Sequence, residues 1–249
     1  MSPNDNSRNG SNLFVRKLHM KKPVLYTELA FPIGLALLAF GTALTSYGGF
    51  GISMVIAPAY LLHLFLSQFL PWFSFGVAEY LLQFMVLLIL ILLLGKMKLS
   101  LLLSFGATLL YGFLLDISMM LTAMLPENTL LQICAYPVGA MICCNALALL
   151  FYSYFPPEAY ELFSKEIAAK LHKPVHKIVN YYNWGSLLLS FVLSLAFFGK
   201  VTGIGIGTIV CALLYGFVIQ FFQKIYSKLF LIEDRFPLRK YFEESERTL

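Results

Sequence analysis

Charge is what this sequence has least of. Only 12% of its 249 residues are Asp, Glu, Lys or Arg, while 59% are apolar. A soluble domain carries about 25% charged and ~45–50% apolar residues. One soluble core of this size cannot hide so much apolar surface, because something polar must still cover it. The solvent for most of the chain is therefore lipid. That excludes a nucleic-acid binder, a secreted enzyme or a cytosolic nucleotide-binding domain as the main body, despite a formal charge of +5. Cysteine is equally scarce. Cys134, Cys143, Cys144 and Cys211 all lie within apolar stretches and read as small buried hydrophobes, not as a disulfide framework or metal ligands.

Catalytic and targeting motifs are missing as well. No Gly-x-Ser-x-Gly, His-Glu-x-x-His or P-loop occurs. Gly203-Ile204-Gly205-Ile206-Gly207 follows no predicted strand, so it reads as a close-packing segment and not as a nucleotide loop. His63, His172 and His176 do not converge on a metal set. No enzyme activity, cofactor, metal or nucleic-acid partner is expected. Residues 1–26 are polar and basic (Arg8, Arg16, Lys17, Lys21, Lys22), with no apolar stretch ending in a cleavage site. They read as a cytoplasmic tail.

What the sequence has instead is long apolar runs. A helix needs about 20 such residues to cross a ~30 Å hydrocarbon core. Six stretches qualify: Thr27 to Ser46, Phe75 to Leu94, Leu99 to Met124, Leu130 to Tyr152, Lys177 to Phe198, and Gly205 to Leu229. A seventh, Ile52 to Leu66, is short, carries Pro58 and His63, and follows the glycine-rich Tyr47 to Gly51. Lys and Arg accumulate on the cytoplasmic side of a membrane. With six spans, 17 of the 18 basic residues fall on one side, leaving Lys200 alone on the other. A seventh span would reverse most of them. The expected topology is six spans with both termini in the cytoplasm of a bacterial plasma membrane, with Ile52 to Leu66 either re-entrant or interfacial.

An internal repeat organises these spans. Leu109 to Asp116 matches Leu213 to Gln220 at a separation of 104, and Gly95-Lys96 matches Gly199-Lys200 at the same separation. Pro58-Ala59-Tyr60 corresponds, with a small shift, to Pro157 to Tyr160. Three spans per copy invert the second copy relative to the first. The fold class expected is all-α, a polytopic helical bundle of two inverted three-helix repeats, 27–126 and 127–229, each with an interfacial or re-entrant segment. A charged cytoplasmic tail, 230–249, follows. The segment from Pro157 to His172 is amphipathic, with Glu161/Lys165 and Glu166/Lys170 at i,i+4, suited to the bilayer surface or to packing across the bundle.

Four short motifs occur in order along the chain: Gly41 to Leu44, the Gly48 to Gly51 turn, Ser74-Phe75-Gly76, and Gly205 to Thr208. Together they resemble the YczE/YyaS/YitT-type bacterial membrane proteins over roughly Phe31 to Phe222. The resemblance implies a plasma-membrane protein from a family of unassigned activity, and it brings no catalytic residues. Many such proteins have a Ser-Pro-Trp-Asp-like tetrad after the glycine turn. This chain has Ile56-Ala57-Pro58-Ala59-Tyr60, so no acidic role carries over.

Ionisable groups within spans cost ~2.5–3.5 kcal/mol at the bilayer centre and need a reason to be there. Glu79 and Asp116 both fall in the outer half, where they either meet or face one cavity; the repeat sets Gln220 against Asp116, and Asn180 or Asn183 against Glu79. With Asn145, the candidate substrate or proton site is Glu79, Asp116, Asn145, Asn183 and Gln220. For Asp116 the alternative is a capping or interhelical hydrogen bond, and for the amides likewise. Trp72, Phe73, Tyr80, Tyr181, Tyr182 and Trp184 read as interfacial belts. The expected function is transport of an unidentified small solute by alternating access of the two halves. The alternative is a non-transporting scaffold or accessory subunit, which would use the basic-then-acidic tail Arg235 to Glu246. Expected partners are the bilayer and a small-molecule substrate, with a homo-oligomer left open.

Overall fold

The computed structural model describes residues 23–95, 99–155 and 158–235. The basic residues Arg8, Arg16, Lys17, Lys21, Lys22, Lys96, Lys98, Arg239, Lys240 and Arg247, together with Pro157 and the tail beyond Arg235, lie outside the described residues. Eight helices follow in order among those described: α1 (Thr27–Gly48), α2 (Ala57–Leu66), α3 (Phe75–Leu94), α4 (Leu99–Ala123), α5 (Thr129–Leu150), α6 (Ala159–Lys170), α7 (Val175–Phe198) and α8 (Ile206–Leu229). Five of them, α1, α3, α4, α5 and α7, are long and apolar enough to cross a membrane. The sixth expected span, α8, is as long at 24 residues but is not among those five. Gly49, Gly95 and Gly199 stop α1, α3 and α7 in the left-handed conformation, at φ 73°, 68° and 64°. A glycine carries no Cβ penalty there. That is the physical content of the matched Gly95 and Gly199.

At the centre α1 packs on α5. Gly34, Gly41 and Gly48 recur every seven residues along one stripe of α1. They meet Leu150 and Ala146, then Cys143 and Gly139, then Tyr136 and Gln132, so the two helices run antiparallel. A methyl group on Gly41 would stand 2.8 Å from the Gly139 carbonyl oxygen, and one on Gly139 would stand 2.8 Å from that of Gly41. With no side chain between them, the backbones touch. Small residues allow this approach where lipid supplies no hydrophobic drive for helix association. Around this pair, α4 packs on α1 and on α3, and α8 packs on α5.

The two short helices fill the space between these elements. At ~1.5 Å per residue, α2 and α6 span about 15 and 18 Å, roughly half a bilayer core. Each begins against the middle of a long helix. Ser186, midway along α7, donates through Oγ to the Met54 carbonyl, 2.7 Å away and just before α2. Gln83, midway along α3, accepts through Oε1 from the Ala159 N–H at the start of α6, 3.2 Å away. Each short helix then follows its partner outward to the end. Phe65 stacks on Phe197 at 4.2 Å, and Lys170 Nζ donates to the Leu93 carbonyl. Ile52 to Leu66 is thus no seventh span, and the helix Ala159–Lys170 does not float on the surface. α6 packs against α3, α4 and α7. Its expected polar face is divided, with Glu166 8% exposed and drawn into the bundle while Lys165 and Lys170 stay exposed.

The chain ends of the bundle meet. β1 (Val24–Tyr26) and β2 (Leu231–Glu233) form a two-stranded parallel ladder, with Leu25 opposite Ile232. Thr27 Oγ1 donates to Asp234 Oδ1 at 2.7 Å, and the Arg235 N–H donates to Glu28 Oε2 at 3.2 Å. Part of what reads as polar tail is therefore docked structure. Both ends of the described chain thus lie side by side.

The glycine turn and the Gly203 to Gly207 segment close on each other at another end. Gly207 N–H donates to the Phe50 carbonyl at 2.9 Å, Ile52 N–H to the Gly203 carbonyl at 3.1 Å, and Thr208 Oγ1 to the Ile52 carbonyl at 2.8 Å. Gly51, at φ 108°, lies so close to Thr208 and Gly205 that no side chain fits. The close packing expected of this segment is found, but it is loop on loop instead of helix on helix. Outward faces of the long helices are apolar, with Leu92 and Phe217 about three-quarters exposed, as a lipid-facing surface demands. Cys134 is exposed on that face and so departs from the expected burial, while Cys143, Cys144 and Cys211 are buried.

Candidate functional site

The long helices and the two half-length helices enclose a cavity of about 410 Å³. Its wall draws on both halves of the chain. Thr42 and Thr45 come from α1, Ser53 to Ile56 from the approach to α2, and Tyr111 from α4. The second half adds Cys143 from α5, Tyr160, Glu161 and Ser164 from α6, Asn180, Tyr182 and Asn183 from α7, and Tyr215 from α8. Glu158 lines it at the N-cap of α6. The starts of both half-length helices thus reach the cavity. A helix N-terminus presents free N–H groups and the positive end of the backbone dipole, and Glu158 and Glu161 sit beside that of α6.

Tyr111 and Tyr215 are the matched tyrosines of the repeat, and both line the cavity. Tyr111 is 1% exposed, and its hydroxyl pairs with Thr42 Oγ1 at 3.2 Å. The chain motif Leu-Leu-Tyr-Gly-Phe that marks the repeat therefore also marks the cavity.

Behind the wall lies a polar cluster with no solvent. Glu79 and Gln83, one turn apart on α3, are both 0% exposed. Glu79 Oε2 accepts from the Tyr160 hydroxyl at 2.8 Å and from Gln83 Nε2 at 3.2 Å. Gln83 Oε1 accepts from Thr108 Oγ1 at 2.6 Å besides the Ala159 N–H. Gln83 is thus satisfied at both ends of its amide, tying α3, α4 and α6 at one point. Neutral donors alone hold the Glu79 carboxyl, and its Oε1 has no hydrogen-bond partner. Glu158 Oε1 is likewise buried without one.

The expected site residues separate in space. Asn183 lines the cavity. Glu79 stands one hydrogen bond behind it, through Tyr160. Asp116 does neither: its Oδ2 accepts from Ser74 Oγ at 2.6 Å and its Oδ1 from the Gly76 N–H at 2.7 Å, so it caps the start of α3. A carboxylate there satisfies otherwise orphaned donors and faces the positive end of the helix. Asn145 accepts from the Tyr226 hydroxyl on the α5–α8 side, and Gln220 points outward, exposed. Glu79 and Asp116 do not share a cavity. The belt reading also needs correction: Trp72, Tyr181 and Trp184 are exposed, but Phe73 is buried and Tyr182 lines the cavity.

Asp116→Ala should lower stability by about 1–3 kcal/mol, since Ser74 and the Gly76 N–H lose a charge-assisted acceptor. Equilibrium unfolding of the detergent-solubilised protein measures it; Asp116→Asn, which keeps an acceptor oxygen, should lose less.

Sequence reasoning missed Glu158, Glu161, Tyr160 and Gln83. Only an acidic pair opening the amphipathic half-length segment marked the first two. Gln83 could have been found as the second polar residue, four from Glu79, on the buried stripe of α3.

A family model described as a family of unknown function (DUF6198) matches residues 25–224. No curated protein and no solved structure matches the chain.

Proposed function

The chain belongs to the DUF6198 family of unknown function, and from the cavity between its halves we propose a plasma-membrane transporter of a small solute working by alternating access. The observation that carries this is that both repeats, including the starts of both half-length helices, line one cavity. Binding at the meeting of inverted repeats, beside broken or half-length helices, is the arrangement secondary transporters use.

Inverted symmetry is supported by how the elements pair. The antiparallel α1–α5 pair lies on the axis. α4 on α1 corresponds to α8 on α5, α2 on α3 to α6 on α7, and α2 on α7 to α6 on α3. Read so, α2 and α6 are re-entrant from opposite faces. The placement of 17 of 18 basic residues supports cytoplasmic termini, and the likeness to YczE/YyaS/YitT-type proteins fits the same membrane.

The symmetry is broken at the α4–α6 contact, which α8 and α2 do not match among the described residues, and at the α3–α4 pair, where the break suggests the motion. α3 packs tightly on α4: the Tyr80 ring lies over Gly112, and its hydroxyl donates to the Leu109 carbonyl at 2.9 Å. Among the described residues α7 makes no comparable contact with α8. At the repeat separation of 104, Trp184 matches Tyr80 and Gly216 matches Gly112. Trp184 is exposed, and open space lies over Gly216. Exchanging the conformations of the halves would seat Trp184 on Gly216, free Tyr80 from Gly112, and open α3 so that Glu79 takes the place Asn183 has now.

In membranes carrying protein without its four native cysteines, Trp184→Cys with Gly216→Cys should be joined by a short bis-methanethiosulfonate linker. Tyr80→Cys with Gly112→Cys should cross-link as well. If only the second pair cross-links, the halves do not exchange and transport by this route falls.

A further inference from the structure

The cavity has a chemistry of its own. Its described lining holds two carboxylates, Glu158 and Glu161, and no Lys, Arg or His. Glu161 has the exposed Lys165 one turn further along α6, whereas Glu158 Oε1 is buried with no hydrogen-bond partner. Around them stand four tyrosine rings, Tyr111, Tyr160, Tyr182 and Tyr215, and most of the remaining wall is aliphatic or phenyl. Buried carboxylates in apolar surroundings call for a countercharge. Tyrosine faces attract a cation through the ring quadrupole.

Three cations could supply that charge. A proton would neutralise a carboxyl but would engage none of the tyrosine rings. A metal ion needs four or more oxygen, nitrogen or sulfur ligands closing around it, and among the described residues no group of three His, Cys, Asp or Glu is placed to hold one. A compact organic cation matches the carboxylates and the apolar wall together: its charge meets Glu158 and Glu161, its substituents meet the rings and aliphatic side chains, and the volume lies within the ~300–1,000 Å³ of small-molecule sites. We propose that the solute bound in this cavity is a small organic ammonium ion with apolar substituents, held by Glu158 and Glu161 within the tyrosine cage. This rests on the cavity being the substrate site of the proposed transporter.

Labelled benzyltrimethylammonium tests it on the full chain in detergent, with its uncharged carbon isostere, neopentylbenzene, as competitor at matched free concentration. Saturable binding is expected. The isostere should displace the label at least tenfold less well than unlabelled benzyltrimethylammonium. Glu158→Gln should weaken binding about tenfold or more, and Glu161→Gln by less, because Lys165 already partly balances that charge. Absence of saturable binding, or equal displacement by the isostere, overturns the proposal without any variant having to fold. Cation binding without cross-linking of positions 184 and 216 would leave the ligand class standing and remove the transport reading. Cross-linking without cation binding would do the reverse.

Discussion

Gly41→Leu should yield little or no folded protein, whereas Gly106→Leu should fold at least as well as the parent. Both glycines are helical and both replacements add the same apolar bulk. They differ in what the side chain meets. At position 41 even a methyl group stands 2.7 Å from Cys143 Sγ and 2.8 Å from the Gly139 carbonyl oxygen. The second of these is backbone and cannot rotate aside, so α1 and α5 must separate. Overpacking that side chains can absorb costs about 1–3 kcal/mol; forcing apart the central helix pair exceeds that and approaches the whole stability of about 5–15 kcal/mol. Nothing lies within 4 Å of a Cβ at position 106, and leaving glycine in a helix interior gains up to about 1 kcal/mol. The monodisperse peak in size-exclusion chromatography of solubilised membranes reads the result. A normal Gly41→Leu peak would mean that the backbones do not touch.

Gln83→Leu should be the most damaging substitution of a polar residue. Volume is nearly kept, so the loss is hydrogen bonding. Glu79 Oε2 loses one of two donors, Thr108 loses its 2.6 Å acceptor, and the Ala159 N–H opening α6 loses its own. Only the Ala159 N–H is left unpaired, at about 1–3 kcal/mol; Thr108 keeps the Ser104 carbonyl and Glu79 keeps Tyr160, each losing one bond of about 0.5–1.5 kcal/mol, so the sum is about 2–6 kcal/mol. Thr108→Val removes one of these bonds and leaves the Ala159 N–H satisfied, so it should cost about 1 kcal/mol. Equilibrium unfolding of both variants reads the difference. Equal losses would show that Gln83 does not join the three helices.

The particular residues show why some features are legible in sequence and others are not. Helix ends at Gly95 and Gly199 are local: a left-handed stop depends on a few residues, and the repeat prints them twice. The interhelical stripe Gly34, Gly41, Gly48 is periodic and could be read, but its partner could not, because α5 is some hundred residues away. Asp116 shows the limit most clearly. A carboxylate within an apolar run looks like chemistry until the start of α3, forty residues earlier in the chain, arrives beside it with Ser74 and Gly76. Glu158 and Glu161 look like a solvated helix start until α6 is drawn into the bundle.

By itself the sequence determined the solvent and the helical class, because each follows from hydropathy and local spacing along one strand of chain. Only the tertiary structure decided which polar groups share a space. Of the five expected site residues it set only Asn183 on the cavity that Glu158, Glu161 and four tyrosines line. A cavity is made where helices distant in sequence fail to touch, and no local pattern records which pairs those are.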